Sequence, residues 1–207
     1  MSTRTLLNLG RSGLAALALL AIVAGPAAAA PPDGWRLEEG VSAPSYAVAE
    51  PTSSNLNIDV VALVCEEAGT ERGLQLQLYL SGQGPLLPNG ASPQRLKDTA
   101  RAEIVLDGQV FPTAILFTDD RVILADSQRQ RAPVLSERLV EAMQAGKTML
   151  LRFDLVNGDL VNGQPAAFDG EAAIDLRAGA GSRAIAAVRR CADPAGDHVA
   201  GVSVTSP

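Results

Sequence analysis

Strict alternation of apolar and polar positions is the clearest pattern in the chain. Between Leu74 and Leu80 every second residue is leucine, and glutamine or tyrosine occupies the positions between them. A period of two is typical of a β-strand with one buried face and one solvent-facing face. The preceding run, Leu56–Cys65, alternates in its first half and is apolar throughout its second half, as in a central strand. The pattern therefore predicts two successive strands.

Turn dipeptides predict β-hairpins in the middle of the chain. Asp107-Gly108 lies between two short apolar runs and is the standard two-residue hairpin signal. Pro112 follows soon afterwards, so we expect it to interrupt the second arm and leave an edge or bulged strand, because proline cannot donate to a ladder. Asp119-Asp120 separates a further pair of apolar runs and predicts another hairpin. Residues 127–133 are mostly polar.

Helical spacing appears in the C-terminal half. Ser136 can cap a helix, and Gly146 is expected to end that helix in a left-handed turn. Its apolar stripe consists of Leu139, Val140 and Met143.

Two more strands, over residues 149–155 and 168–176, come before a second helix that begins at Ser182. Residues spaced by three then share one face of that helix. These residues are Ile185, Val188 and Cys191.

About seven strands and two short helices predict a mainly β (α+β) fold, an antiparallel β-sandwich or partly open barrel with the helices at one end. A doubly wound α/β fold is disfavoured because strands and helices do not alternate regularly. We divide the chain into a signal peptide (1–30), an extended N-terminal lead (31–55), one β-rich domain (56–193) and a flexible tail (194–207). Trp35, in the lead, is expected to pack against the core.

The first 30 residues have the order of an export signal. Arg4 and Arg11 precede an apolar block at residues 14–23, and Ala28 and Ala30 fit an A-x-A cleavage site. The apolar block is shorter than the roughly 20 residues that span a membrane. We therefore predict Sec-type cleavage after Ala30 and a periplasmic mature chain without a membrane span. The alternative is an uncleaved N-terminal anchor.

Export bears on the two cysteines of the chain, Cys65 and Cys191. Two cysteines in an oxidising compartment most often pair with each other. We expect a disulfide that closes a long loop, fastens the last helix to the sheet and stabilises the fold by about 4–5 kcal/mol. The alternative is a redox or nucleophilic thiol. The sequence contains no C-x-x-C motif, and the lone His198 is an unlikely partner for either thiol, so this alternative has little support.

Composition then excludes several classes of partner. The chain has a net charge of −6 and loses Arg4 and Arg11 on cleavage, so its surface repels nucleic acid and anionic lipid. Aromatic residues make up 3%, too few for a platform that stacks bases or sugars. We therefore predict no nucleic-acid partner.

One group of arginines leaves two interpretations open. The group could form a basic patch for an anionic partner, although we favour ion pairs with the neighbouring acids Asp119, Asp120, Asp126 and Glu137. Its members are Arg121, Arg129, Arg131 and Arg138.

Catalytic and ligand-binding motifs are not recognisable in the sequence. His198 is the single histidine and lies in the predicted tail, and no serine sits in G-x-S-x-G. We predict no catalytic residue, no cofactor and no metal site. Carboxylates could still serve a hydrolase or calcium, although turn geometry and solubility explain them better. The candidates are Glu66, Glu67, Asp119, Asp120, Asp154, Asp169 and Glu171.

The C-terminal third also resembles known proteins. Leu139–Lys147, Leu150–Leu155, Phe168–Leu176 and Ala184–Cys191 form the order helix, Gly-Lys turn, strand, strand and alanine-rich helix ending in cysteine. This order resembles the end of the exported proteobacterial proteins called invasion-associated locus B-like, and of some type VI secretion accessory proteins. The resemblance implies a β-sandwich envelope protein without an agreed enzymatic activity, and it carries no functional residue over.

Three functions follow as hypotheses. The leading one is an exported periplasmic, non-enzymatic β-sandwich protein that supports the cell envelope or binds an envelope protein partner. The first alternative is a small apolar-ligand (lipid) carrier, with strands such as Leu74–Leu80 lining a cavity. The second is a carboxylate-based hydrolase, which needs two acids within about 10 Å of each other in a pocket.

Overall fold

The computed structural model describes residues 34–38, 46–68, 71–157 and 168–192. The predicted signal peptide with its cleavage site, and the tail with His198, lie outside the described residues. The elements are β1 (Arg36–Leu37), β2 (Tyr46–Ala49), β3 (Ser53–Ser54), β4 (Ile58–Ala68), β5 (Glu71–Leu80), β6 (Leu96–Leu106), β7 (Gln109–Phe117), β8 (Arg121–Ala125), β9 (Ser127–Arg129), β10 (Ala132–Val134), α1 (Glu137–Ala145), β11 (Thr148–Val156), β12 (Gly170–Asp175) and α2 (Gly181–Ala192).

Ten of these strands form one curled antiparallel sheet, a half-barrel, in the order β1-β2-β4-β5-β8-β7-β6-β11-β12-β3. The prediction of a mainly β antiparallel fold is confirmed. Of the two predicted architectures, a sandwich or a partly open barrel of about seven strands, the sandwich and the strand number are not matched exactly. The sheet is continuous because β7 belongs to both of its halves. Gln109–Thr113 pair with β6, whereas Ala114–Phe117 pair with β8.

Pro112 does not interrupt β7, so the predicted break is wrong, whereas the predicted edge position is confirmed among the described residues. The proline lies opposite Glu103 within the continuous ladder of β6 and β7. The strand tolerates it because β8 pairs with Ala114–Phe117 and leaves the other side of Pro112 without a neighbouring strand among the described residues. The hairpin at Asp107-Gly108 is confirmed, and both turn residues have positive φ.

The core combines one face of the sheet with both helices. Leu76 and Leu78 of β5 are fully buried together with Ile185 and Val188 of α2, and Trp35 packs into the same cluster, as expected. Helix α1 begins as predicted, since the side chain of Ser136 accepts a hydrogen bond from the backbone N–H of Leu139. The buried residues of α1 are the predicted stripe Leu139, Val140 and Met143.

The end of α1 differs from the sequence expectation. Gly146 has φ −67° and ψ 169°, an extended conformation rather than the predicted left-handed one. Glycine is nevertheless required by space, because a Cβ at this position would lie 2.8 Å from the carbonyl oxygen of Ala142. The residue permits a close approach to the last turn of the helix.

The second face of β5 also differs from its predicted exposure to solvent. Gln75 and Gln77 retain only 7% and 1% of their exposure. Gln75 donates to the carbonyl oxygen of Pro133 at 2.8 Å, and Gln77 donates to the Oε1 of Gln75 at 2.9 Å. The β9–β10 hairpin, which includes the polar segment 127–133, covers this face. Val134 of β10 lies directly against Gly73 of β5. The glutamines therefore hold the hairpin on the sheet.

The predicted disulfide is confirmed. Cys65 of β4 and Cys191 of α2 are bonded, with 6.2 Å between their Cα atoms, and the bond spans 126 residues of sequence. The cross-link joins the last helix to the central part of the sheet, as the sequence suggests. Among the described residues, no helix has the length and apolar character needed to cross a membrane.

Candidate functional site

The candidate site lies where β6 and β7 separate. The two strands pair from their turn as far as Ala102 opposite Thr113, and their register ends there. Beyond that point β7 turns to β8, while β6 continues along β11. We call the opening between the segments 96–100 and 114–117 the fork.

Backbone groups at the fork lack strand partners in the described part of the chain. The register of β6 with β11 jumps from Arg101↔Asp154 to Leu96↔Val156, so Lys97–Ala100 form a bulge without a counterpart. Ala114–Phe117 pair with β8 on one side only, within the part of the chain that the structure describes. Unpaired N–H and C=O groups in such a row can accept a further strand.

The exposed side chains of β7 make this edge apolar. Leu116 and Phe117 retain 37% and 54% of their exposure, and Ala114 is exposed as well. Proteins usually protect an edge strand with charge, proline or a covering loop, because an open apolar edge invites pairing with another chain. The segment Ala114–Phe117 carries neither a charge nor a proline.

A cleft of about 940 Å³ opens at one end of the fork, where Phe117 is the residue of the segment 114–117 that lines it. This volume lies within the range of roughly 300–1,000 Å³ that is typical of ligand sites. Its walls come from three segments: the end of β5 with the following loop, the start of β6, and the β7–β8 turn. The apolar part of the lining consists of Leu80, Pro85, Leu86, Leu96, Ala100, Phe117 and Val122.

The two cations of the cleft are already engaged by acids. Arg121 donates to both carboxylate oxygens of Asp120, at 2.9 and 3.0 Å, and also to Gln77. The hydrogen bonds from Arg121 lower the pKa of the Asp120 carboxyl group. Lys97 forms an ion pair with Asp154.

Asp154 is the buried acid of this region, and it also accepts a hydrogen bond from Arg101 at 2.7 Å. Burial by itself would raise the pKa of the carboxyl group, but the hydrogen bonds from Lys97 and Arg101 outweigh it and leave the pKa lowered. The group is therefore a charged anchor for the bulge of β6, not a proton donor near neutral pH.

Two acids of the cleft remain without an ionic partner. Asp98 lies on β6 and Asp119 in the β7–β8 turn, and both side chains are exposed. Neither forms an ion pair or a side-chain hydrogen bond with any residue in the described ranges. The rim of the cleft is consequently anionic.

The other candidate carboxylates do not meet in a catalytic pair. Glu66 accepts from Gln77 at 3.3 Å, and Glu171 pairs with Arg152 at 3.2 Å. Asp169 accepts from the backbone N–H groups of Leu155 and Val156, where the register of β11 with β6 shifts. Of the remaining candidates, Glu67 is exposed. No set of three metal-ligating side chains occurs within the described residues.

The four arginines do not converge on one contact. Arg121 pairs with Asp120 as expected, but Arg129 pairs with Glu71 and Arg138 lies over the ring of Phe111 at 5.5 Å. Arg131 is an exposed residue of the β9–β10 turn. The expected acidic partners Asp126 and Glu137 bind Ser136 and Arg189 instead.

A second cleft, of about 590 Å³, lies beside α1 and α2. Its lining includes Arg129 and Arg189, which are paired with Glu71 and with Glu137 and Glu141. Arg190 also lines this cleft, and β9 and β10, which pair only with each other among the described residues, border it with Arg129 and Val134. The fork is the stronger candidate because its exposed edge is apolar, whereas the exposed strand Ser127–Arg129 is polar.

Sequence reasoning did not identify the fork. The run Ala114–Phe117 reads as an ordinary hairpin arm, and only its neighbours show that one of its edges is open. No family model, no curated protein and no solved structure matches this chain. The resemblance of the C-terminal third to exported envelope proteins therefore remains a prediction.

Proposed function

We propose that this chain is an exported, non-enzymatic binding protein of the periplasm, and that it holds an extended segment of an envelope protein partner at the fork. The observation that carries the proposal is the open apolar edge Ala114–Phe117 beside a cleft of about 940 Å³. Export rests on the signal pattern of residues 1–30, and the disulfide and the resemblance support it.

Strand addition explains why two different features occur together at the fork. Backbone hydrogen bonds to an edge strand provide affinity, while pockets for alternate side chains provide specificity. Ala114–Phe117 offer the edge, and the partly exposed apolar residues Leu80, Leu96 and Ala100 line the pocket beside it. An added strand would also cover Leu116 and Phe117, which are otherwise exposed to water.

An enzymatic function has less support from the geometry. A glycosidase needs two carboxyl groups facing one bond, with one of them held protonated by burial. Asp120 and Asp154 are in ion pairs and Asp169 caps backbone N–H groups, while Asp98 and Asp119 are exposed on the rim of the cleft. The hydrolase hypothesis is therefore not the function that this arrangement favours.

A small apolar ligand, such as a lipid, is the second candidate for the same cleft. Its specific support is the volume together with the accessible apolar lining, since Leu80, Leu96 and Phe117 are partly or largely exposed inside the cleft. Native mass spectrometry of gently purified protein distinguishes this candidate, because a carrier retains a ligand of defined mass.

Site-specific photo-crosslinking in the periplasm tests the proposal. A photoreactive residue at Leu116 lies on the open edge, and one at Val110 is a matched control. Val110 is on the same strand with 49% exposure, but it lies in the half that β6 already pairs. We expect an adduct of one defined mass from position 116 and none from position 110.

Two results would contradict the proposal. One is an equal set of adducts from both positions, which would indicate contact without a docking edge. The other is an unchanged adduct in the Phe117→Lys variant, because a charge at the open edge should block pairing. N-terminal sequencing of the periplasmic protein tests export separately, with Pro31 expected as the first residue.

A further inference from the structure

We infer that the segment bound at the fork is cationic, an extended polypeptide in which Lys or Arg alternates with apolar residues. The inference rests on the proposed function, because it specifies the chemistry of the occupant of that same cleft. Two observations support it: the open apolar edge of β7, and two acids that have no partner among the described residues.

The charged side chains that line the cleft indicate which charge the bound segment carries. Lys97 and Arg121 line the cleft, but Asp154 and Asp120 neutralise them. Within the ranges that the structure describes, Asp98 and Asp119 remain as unpaired negative charges on its rim. An anionic segment would meet these two acids with no free cation in the lining to offset them, whereas Lys or Arg would pair with both.

The positions of the two acids fit a strand rather than a compact cation. Asp98 belongs to the bulge of β6, and Asp119 to the turn beyond Phe117, so they border the fork on opposite sides. Successive side chains of an extended chain point in opposite directions. A strand in the fork can therefore direct apolar residues to the floor while its basic residues reach the rim.

A second copy of this chain is a poorer occupant. The chain carries a net charge of −6, so two copies repel each other before their edges meet. Nucleic acid and anionic lipid are disfavoured for the same reason. A basic segment of another protein is attracted both by the overall charge and by the rim.

Fluorescence anisotropy with three labelled peptides tests the inference on the full disulfide-bonded protein. The peptides are eight residues long and alternate valine with lysine, glutamine or glutamate. We expect the lysine peptide to bind at least tenfold more tightly than the glutamine peptide, and the glutamate peptide not to bind. Raising the salt concentration from 50 to 500 mM should weaken the lysine peptide several-fold and leave the glutamine peptide unchanged, because salt screens exposed charges.

Variants separate the acids from the edge. The double variant D98N/D119N should weaken the lysine peptide about tenfold and leave the glutamine peptide unchanged. The matched control is Asp59→Asn, an exposed acid of β4 outside the cleft lining, which should change neither affinity. The Phe117→Lys variant should abolish binding of both peptides.

The outcomes distinguish two claims: that a strand is added at the fork, and that this strand is cationic. Equal affinity for the lysine and glutamine peptides, or no effect of D98N/D119N, overturns the cationic occupant while strand addition stands. Binding that the Phe117→Lys variant leaves intact, or failure of all three peptides together with no adduct from position 116, overturns the proposed function as well.

Discussion

Removal of the disulfide tests how the last helix is held on the sheet. The variant C65A/C191A deletes the cross-link between β4 and α2 and keeps the Cβ atom at both positions. The cross-link spans 126 residues, and loop-closure entropy for a loop of that length corresponds to about 5 kcal/mol at 25 °C. We expect the free energy of unfolding to fall by about 4–5 kcal/mol, a large share of a domain's total.

The loss should arise in the unfolded chain rather than in the folded one. Helix α2 buries Ala184, Ile185 and Val188 in the core on its own account. Both cysteines are only half-buried, so alanine leaves little cavity. The folded variant should therefore retain its α2 packing and its far-ultraviolet circular dichroism, while unfolding becomes easier because the unfolded chain is less constrained.

Urea unfolding, followed by the fluorescence of the single Trp35, measures the effect. With a slope of about 2 kcal/mol per molar urea, the midpoint should fall by about 2–2.5 M. Wild-type protein unfolded with a reductant is the control, and it should match the variant. A loss below about 1 kcal/mol, or a variant that has lost the fluorescence of folded protein before urea is added, would refute this reasoning.

Three further predictions concern other groups. Thr113→Val should stabilise the fold by about 1 kcal/mol, because the Thr113 hydroxyl is buried without a hydrogen-bond partner among the described residues. Thermal unfolding measures this effect, and Thr99→Val on the exposed bulge is the control. Asp154→Asn should cost about 1–2 kcal/mol at pH 7, since it leaves Lys97 and Arg101 without their acid while water can still solvate the exposed Arg101. The folded pKa of Asp154 lies below its ordinary value of 3.8, so its contribution is present above that pH and is lost as the pH falls through the folded value. Urea midpoints of the wild type and the variant should therefore converge below pH 3.8, and a constant difference would contradict the ion-pair account. Gly146→Ala should cost about 1–2 kcal/mol despite its ordinary φ, because its Cβ would crowd the Ala142 carbonyl; an unchanged urea midpoint would contradict the contact.

Local patterns predicted the elements that local chemistry determines. The alternating leucines marked β5, the turn dipeptide Asp107-Gly108 marked its hairpin, and Ser136 marked the start of α1. The disulfide followed from compartment and count, since only one pairing of two cysteines exists. Each of these predictions needs only a few neighbouring residues, or the number of cysteines in the chain.

The features that sequence reasoning missed depend on distant neighbours. A period of two shows that Gln75 and Gln77 share a face, but not that the β9–β10 hairpin covers it. The fork arises because β7 changes partner between Thr113 and Ala114, and that change depends on the registers of β6, β8 and β11. No local pattern encodes where two paired strands stop pairing.

Hydrogen exchange at the fork tests the central claim most directly. The amides of residues 97–100 and 114–117 should exchange more slowly when the lysine-valine peptide is present at saturation, because an added strand pairs with them. The cleft beside α1 and α2 should show no change. Protection at that second cleft, with unchanged exchange at the fork, would contradict the claim that the open edge of β7 is the docking surface.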